Sequence, residues 1–184
     1  SGSFDSAVCV WYLVDGQCLH KFRGHMSYVN NVKVTPEGSR AVSGSCDSTL
    51  RVWDLASGRC LHVFKGHMSY VNSVCVTPDG SRTVSASSDC TLRVWDLTSG
   101  KCLHTLEGHA DQVLNVSVTP DGSRAVSGSR DNTLRVWDLA SGRCLAIYHA
   151  GTLIGPMAIS SNEARIACGA KDGQMHFLTM RNFA

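Results

Sequence analysis

The sequence lacks several features, and each absence removes a class of protein. It has no apolar run near the ~20 residues that a membrane helix needs. No positively charged, then apolar leader opens it, and it starts at Ser1 inside a pattern that recurs later, so we expect a piece of a longer protein. Charge of one sign is also missing: 17 Lys and Arg stand against 15 Asp and Glu, a formal charge of +2. That excludes a strongly basic nucleic-acid stripe or an acidic tail as the main theme. No Gly-x-x-x-x-Gly-Lys-Ser/Thr loop occurs, so this chain does not itself carry a nucleotide-hydrolysing motor of that type. No stretch has helical periodicity of useful length. Disorder is disfavoured as well, because 43% of the residues are hydrophobic and only 17% charged.

Cysteine is plentiful, yet no Cys-x-x-Cys pair is present, which removes the usual signal for a zinc knuckle or a thioredoxin-type site. Four of the nine cysteines, Cys18, Cys60, Cys102 and Cys144, recur every 42 residues. They are one position of a repeat counted four times, and the total is odd. The simplest reading is a set of reduced thiols inside a cell.

The repeat organises everything else. Gly24-His25, Gly66-His67 and Gly108-His109 keep the 42-residue spacing, as do Trp53-Asp54, Trp95-Asp96 and Trp137-Asp138. Residues 24–65 and 66–107 share 30 identities in 42, which points to recent duplication. Within a unit the hydrophobic period is two. Tyr70 to Val76 reads as a strand rich in β-branched residues. Thr77-Pro78-Asp79-Gly80 is a turn, with Pro second and Gly fourth. Arg82 to Ser87, Thr91 to Asp96 and Lys101 to Leu106 read as three further strands, separated by Ser88-Asp89-Cys90 and Thr98-Ser99-Gly100.

Four short antiparallel strands per unit, with Gly-His and Trp-Asp marks, form the pattern of a β-propeller blade. The sequence resembles the WD40-repeat family. The resemblance rests on Gly-His at 24, 66 and 108, on Thr-Pro-Asp/Glu-Gly-Ser-Arg at 35, 77 and 119, and on Ser-x-Ser-x-Asp-x-Thr-Leu-Arg-Val-Trp-Asp at 43, 85 and 127. These motifs cover nearly the whole chain and specify a fold rather than a function. The expected fold is all-β: a partial WD40 propeller of about four to five four-stranded blades. Residues 1–23 are read as a partial blade, 24–65, 66–107 and 108–149 as full repeats, and 150–184 as a degenerate partial blade. In that last unit Gly-His becomes Ala150-Gly151, the turn becomes Ser161-Asn162-Glu163 and Trp becomes Leu178. Ser161 to Glu163 and Asp172 follow their counterparts by 41 residues, so one residue has been lost. The resemblance implies a ring of seven blades, about 294 residues at this repeat length. The remaining blades are therefore expected from the parent chain, or a partner closes the arc.

Ser, His and Asp recur together in every full unit: His25, Ser43 and Asp47; His67, Ser85 and Asp89; His109, Ser127 and Asp131. Hydrolytic triads would use these residue types. Threefold repetition at one spacing argues instead for a structural part. The resemblance implies an internal Asp–His–Ser–Trp hydrogen-bond network in each blade, completed by Trp53, Trp95 and Trp137. A buried polar chain of this kind must be fully satisfied, and it then fixes one strand arrangement. Ser45 shares a strand face with Ser43, and the first of the two is our choice. The repeated histidines lie on different blades, and no cluster has metal-ligand spacing, so no metal and no cofactor is expected. His20, His62 and His104 read as surface or edge positions of the outer strand.

Arg51, Arg93 and Arg135 each precede the Trp by two residues, on the strand that begins at the Gly-His face. Arginines from adjacent blades can grip a phosphate or carboxylate together, and the arrangement is similar to the phosphopeptide face of WD-repeat F-box substrate receptors. The other reading is that each arginine packs its stem locally and pairs with a nearby acceptor. Arg130 adds a cation beside Asp131. Tyr28 with Asn30, and Tyr70 with Asn72, open their blades at what the resemblance makes the rim of the ligand face. They are either contact residues or plain loop surface. The third unit has Gln112 and Leu114 there, so the rim is not uniform.

The leading functional reading is a non-enzymatic interaction module. It is similar to the C-terminal WD40 arrays of NACHT- or STAND-type signalling proteins, where repeats of this closeness sense or hold a partner. A protein or peptide partner is expected, with phosphorylated or acidic ones suited to the arginines, and no membrane partner. The expected location is the cytoplasm, with the nucleus left open. A substrate receptor of a ubiquitin ligase, reading phosphorylated peptides, is the first alternative, and an enzyme using the propeller channel is another. Nucleic acid is disfavoured, because each neutralised phosphate needs its own cation.

Overall fold

The computed structural model describes residues 1–152, 154–160, 165–171 and 173–179. Its strands form five antiparallel sheets, and no helix occurs among the described residues. The first sheet pairs β1 (Ala7–Trp11) with β2 (Cys18–Arg23). Three four-stranded sheets follow in simple up-and-down order. They are β3 (Val29–Val34), β4 (Arg40–Ser45), β5 (Leu50–Asp54) and β6 (Cys60–Phe64); β7 (Val71–Val76), β8 (Arg82–Ser87), β9 (Leu92–Asp96) and β10 (Cys102–Leu106); and β11 (Val113–Val118), β12 (Arg124–Ser129), β13 (Thr133–Asp138) and β14 (Cys144–His149). The last sheet holds β15 (Ile154–Ile159), β16 (Arg165–Ala170) and β17 (Met175–Thr179). Ser161, Asn162, Glu163 and Asp172 lie outside the described residues.

The strands of the second full unit follow the sequence pattern closely. Three of them start one residue later than the pattern suggests, at Val71, Leu92 and Cys102. The residue just before each is spent on a turn. The carbonyl of Tyr70 accepts from Ser88 N–H, that of Thr91 from Ser87 N–H and that of Lys101 from Asp96 N–H. Gly80 closes the Thr77 turn with an N–H bond to the Thr77 carbonyl at 2.9 Å and a φ of +68°, a backbone state that glycine adopts at little cost. The turn between the second and third strands is less ordinary. Ser48, Cys90 and Asn132, none of them glycine, occupy left-handed conformations there. Hydrogen bonds from Thr49, Thr91 and Thr133 N–H to the preceding aspartates hold this strained turn in place.

The core lies between the sheets. In β9, Leu92 and Val94 cluster with Trp137 and Leu139 of the following unit. Trp95 packs the other way, with Val42, Leu50, Val52 and Phe64 of the preceding unit. This follows from strand alternation, which turns successive side chains to opposite faces. Phe64 and Trp95 stack with ring centroids 5.1 Å apart and planes 7° from parallel. Two of the outer-strand histidines are less peripheral than the sequence suggests. His62 is half-buried and stacks on Phe64 at 6.0 Å, and its ring lies under the Gly100 turn of the next unit. His104 sits likewise under Gly142, whereas His20 is exposed. Burial against the neighbouring blade turns the two edge positions into packing positions.

In the first sheet the corresponding tryptophan has no preceding unit to cover it, whereas Leu178, its counterpart in the last sheet, packs against the preceding unit. Trp11 is 47% exposed where Trp53, Trp95 and Trp137 are at most 2% exposed. Replacing Trp95 with Ala is expected to cost about 3–5 kcal/mol of stability, as a large-to-small core change. Trp11→Ala is expected to cost about 1 kcal/mol or less, because water already reaches its ring. Urea unfolding of the two variants beside the parent chain measures both, and equal losses would show the core to be placed wrongly.

Candidate functional site: the Gly-His face

The loop carrying each Gly-His and the turn after each second strand meet at one end of the blades. The contact is explicit: Met26 N–H donates to Asp47 Oδ2 at 2.9 Å, and Met68 and Ala110 N–H make the same bond to Asp89 and Asp131. Behind this surface runs a buried relay. His25 Nδ1 lies 2.8 Å from Asp47, His25 Nε2 lies 2.7 Å from Ser43 Oγ, and Trp53 Nε1 lies 2.8 Å from the same hydroxyl. An ionised carboxylate only accepts, so Nδ1 carries the imidazole proton. Nε2 then accepts from Ser43, which accepts in turn from the indole N–H. His67, Ser85, Asp89 and Trp95 repeat the arrangement, as do His109, Ser127, Asp131 and Trp137.

Burial and hydrogen bonding together set the protonation states. Burial pushes the imidazoles of His25 and His109 below their ordinary value, and the bonds to Asp47 and Asp131 offset this only in part. Burial also opposes ionisation of Asp47. Donors from Thr49, Met26 N–H and His25 outweigh it and hold the carboxyl down at about 2. Asp131 is likewise held at about 2, where Thr133 and His109 outweigh its burial. The threonine hydroxyls were not among the residues singled out from sequence. Thr49, Thr91 and Thr133 donate to Asp47, Asp89 and Asp131 at 2.6, 2.7 and 2.7 Å. The signal was present, as Asp-x-Thr recurs unchanged in every full unit. The neighbouring serines hold the loop instead, since Ser45, Ser87 and Ser129 donate to the carbonyls of Ser27, Ser69 and Asp111.

The three arginines lie inside their own units. Arg51 and Arg93 each place Cζ 5.9 Å from the ring centroid of their own Trp. Their Nη1 atoms approach Cys60 and Cys102 at 3.7 and 3.8 Å, and Arg135 approaches Cys144 at 4.0 Å. Glycine is needed above them. A Cβ on Gly66 or Gly108 would fall 2.8 or 2.7 Å from Nη1 of Arg93 or Arg135, and both backbones have positive φ. Joint capture of one anion by these arginines therefore requires them to leave these contacts.

The rim residues divide into two groups. Asn30 and Asn72 donate side-chain N–H to the carbonyls of Val71 and Val113 in the next unit, at 2.9 and 2.8 Å. They stitch blade to blade, and Leu114, half-buried at the same position, has no donor to do so. Gln112 is half-buried, and its carbonyl accepts from Arg130 N–H. Tyr28, Tyr70 and Arg130 are exposed. Among the described residues no group of three or more His, Cys, Asp or Glu is placed to hold a metal ion.

Blades of this order, Gly-His loops folded over Trp-bearing strands and a relay repeated in each full unit define a class of repeat propeller. The chain belongs to the WD40 family: the family model for the WD domain, G-beta repeat, matches residues 16–54, 58–96 and 100–138, more than half of the chain. Each match runs from the fourth strand of one blade through the third strand of the next. None of the curated proteins matches the chain. WD40 repeats are in general modules of protein interaction.

The relay makes stability fall in acid. His25 and His109 bind protons less readily folded than unfolded, so the unfolded chain gains first as pH drops below 6.5. Asp47 and Asp131 add stability that is complete above their ordinary value of 3.8 and is lost as pH falls toward about 2. The expected urea midpoint therefore declines from near neutrality downward and steepens in strong acid. A midpoint that stays flat from neutrality to about pH 4 would remove the histidines from this account.

Proposed function

We propose that residues 1–184 act as one non-catalytic scaffold or sensor module that holds a protein or peptide partner on the Gly-His face. We place it within a larger signalling protein of the NACHT or STAND kind, in the cytoplasm. The observation that carries the reading is how the polar groups of this face are divided. Ser43, Ser85 and Ser127 are fully buried, and each is shared by a histidine and a tryptophan. A serine held this way has no free face for a substrate. Tyr28, Tyr70 and Arg130 stand exposed around them, and Tyr and Arg are residue types that carry binding energy at protein interfaces. The near-identity of the units supports the signalling placement, and nine free thiols support a reducing compartment.

Selection of a displayed random-peptide library against the whole chain tests the reading. Enriched peptides should lose binding on Tyr28→Asp with Tyr70→Asp, and keep it on Leu61→Asp with Leu103→Asp on the outer strands. Peptides lost only on the outer-strand pair, or no enrichment at all, would overturn it.

One observation favours a second reading, a receptor for phosphorylated peptides such as a ubiquitin ligase uses. Among the described residues, Arg51, Arg93 and Arg135 have no carboxylate partner, and their Nε atoms are buried without an acceptor. On this reading Arg93→Ala with Arg135→Ala abolishes the preference for a phosphothreonine peptide over its unphosphorylated form. Unchanged affinities in calorimetry would end it.

A further inference from the structure

The constant and the variable positions of the three full units separate cleanly. Every relay residue is the same in all three. Several positions around each Gly-His loop are not, and three of them set the exposed side chains. In the first two units the residue three before the loop methionine is a cation, Arg23 or Lys65, and a tyrosine follows at Tyr28 or Tyr70. In the third unit the cation becomes Glu107, the methionine Ala110 and the tyrosine Gln112. Met26 and Met68 are 90% and 87% exposed, and Tyr28 and Tyr70 are 51% and 55% exposed. The fold uses mainly their backbones: the methionine N–H groups donate to Asp47 and Asp89, and the carbonyls of Tyr28 and Tyr70 accept from Cys46 and Ser88 N–H. Phe4, 79% exposed, continues the stripe and meets Tyr28 edge to face at 5.0 Å.

Methionine adapts to varied partners, and aromatic residues supply large contact area at low entropic cost. An exposed row of such side chains marks an interaction surface. The charges decide what covers it. Asp47 and Asp89, the carboxylates of this sector, are consumed by the relay. Arg23 and Lys65 are exposed, and among the described residues neither is in an ion pair. The balance reverses in the third unit, where the carboxylates of Glu107 and Asp111 are exposed against one exposed rim cation, Arg130.

We propose that the first two full units bind an extended, unphosphorylated segment of a protein partner in which acidic residues alternate with aromatic or aliphatic ones. The Met26–Tyr28 and Met68–Tyr70 pairs take its apolar side chains. Arg23 and Lys65 face its carboxylates, and the acidic third unit sets the end of the site. This rests on the reading that the Gly-His face holds a peptide, and it names that peptide's chemistry.

Three synthetic peptides test the proposal by calorimetry with the whole chain: one alternating Asp or Glu with Phe, one with Ser replacing Phe, and one with Lys replacing the acids. Only the first should bind. Met26→Ser with Met68→Ser should weaken it at least about tenfold, a loss typical of a central contact. Arg23→Glu with Lys65→Glu should weaken it similarly, and raised salt should weaken binding to the parent chain. The methionine variant should keep the parent's urea midpoint, because the side chains it removes are exposed. Failure of the acidic–aromatic peptide to bind, equal binding of either analogue, or indifference to both double variants would overturn the proposal. If library-selected peptides still depend on Tyr28 and Tyr70, that failure concerns the partner's chemistry alone. If they do not, the reading of the face falls with it.

Discussion

The rest of the structure depends on one hydroxyl per unit. Ser43, Ser85 and Ser127 sit where the histidine of the Gly-His loop and the indole of the third strand converge. Each relay ties four segments that are far apart in sequence: the loop before the first strand, the second strand, the turn after it and the third strand. A half-satisfied version would leave an indole N–H and an imidazole nitrogen buried and unpaired, a cost of about 1–3 kcal/mol for each group. Only one register of the sheet satisfies every member, so the relay selects that register. The tryptophan held this way then presents its ring to the preceding blade, where Phe64 stacks on Trp95. Hydrogen bonding inside one unit thus sets the packing between units.

The same relay shapes the face above it. By taking up the carboxylates of Asp47, Asp89 and Asp131, it leaves the exposed surface to the flanking side chains. The interior stays constant while the surface differs from unit to unit. That is how a repeat protein acquires distinct subsites without changing its fold. The Asn30 and Asn72 bonds to the following unit belong with the constant part, even though both residues lie at the rim. The asymmetry at Leu114 removes one such stitch.

Much of the fold was legible in sequence because the repeat reports the same positions several times. Period-two strands, Pro-Gly turns and the Ser-His-Asp-Trp spacing all follow from residue type and recurrence. The carboxylate-bound threonines were legible in principle, since Asp-x-Thr recurs, yet a hydroxyl beside a charged residue has no distinctive pattern of its own. The arginines were harder. Spacing places them on one face of three strands, but stacking over Trp53 and Trp95 and contact under the Gly-His glycines are properties of side-chain direction. The histidines of the outer strands show the same limit. His62 looks peripheral until the Gly100 turn of the next blade is laid across it.

The amino-acid sequence by itself determined the repeat length, the strand order within a unit and which residues recur for structural reasons. Those depend on local periodicity and turn chemistry, which act over a few residues. Tertiary structure alone decided which recurring polar groups are spent and which remain for a partner. Asn30 and Tyr28 are two residues apart and look alike as rim candidates. One is tied to the carbonyl of Val71 and the other stands in solvent. That difference comes from the position of the neighbouring blade 42 residues on, and no local pattern encodes it.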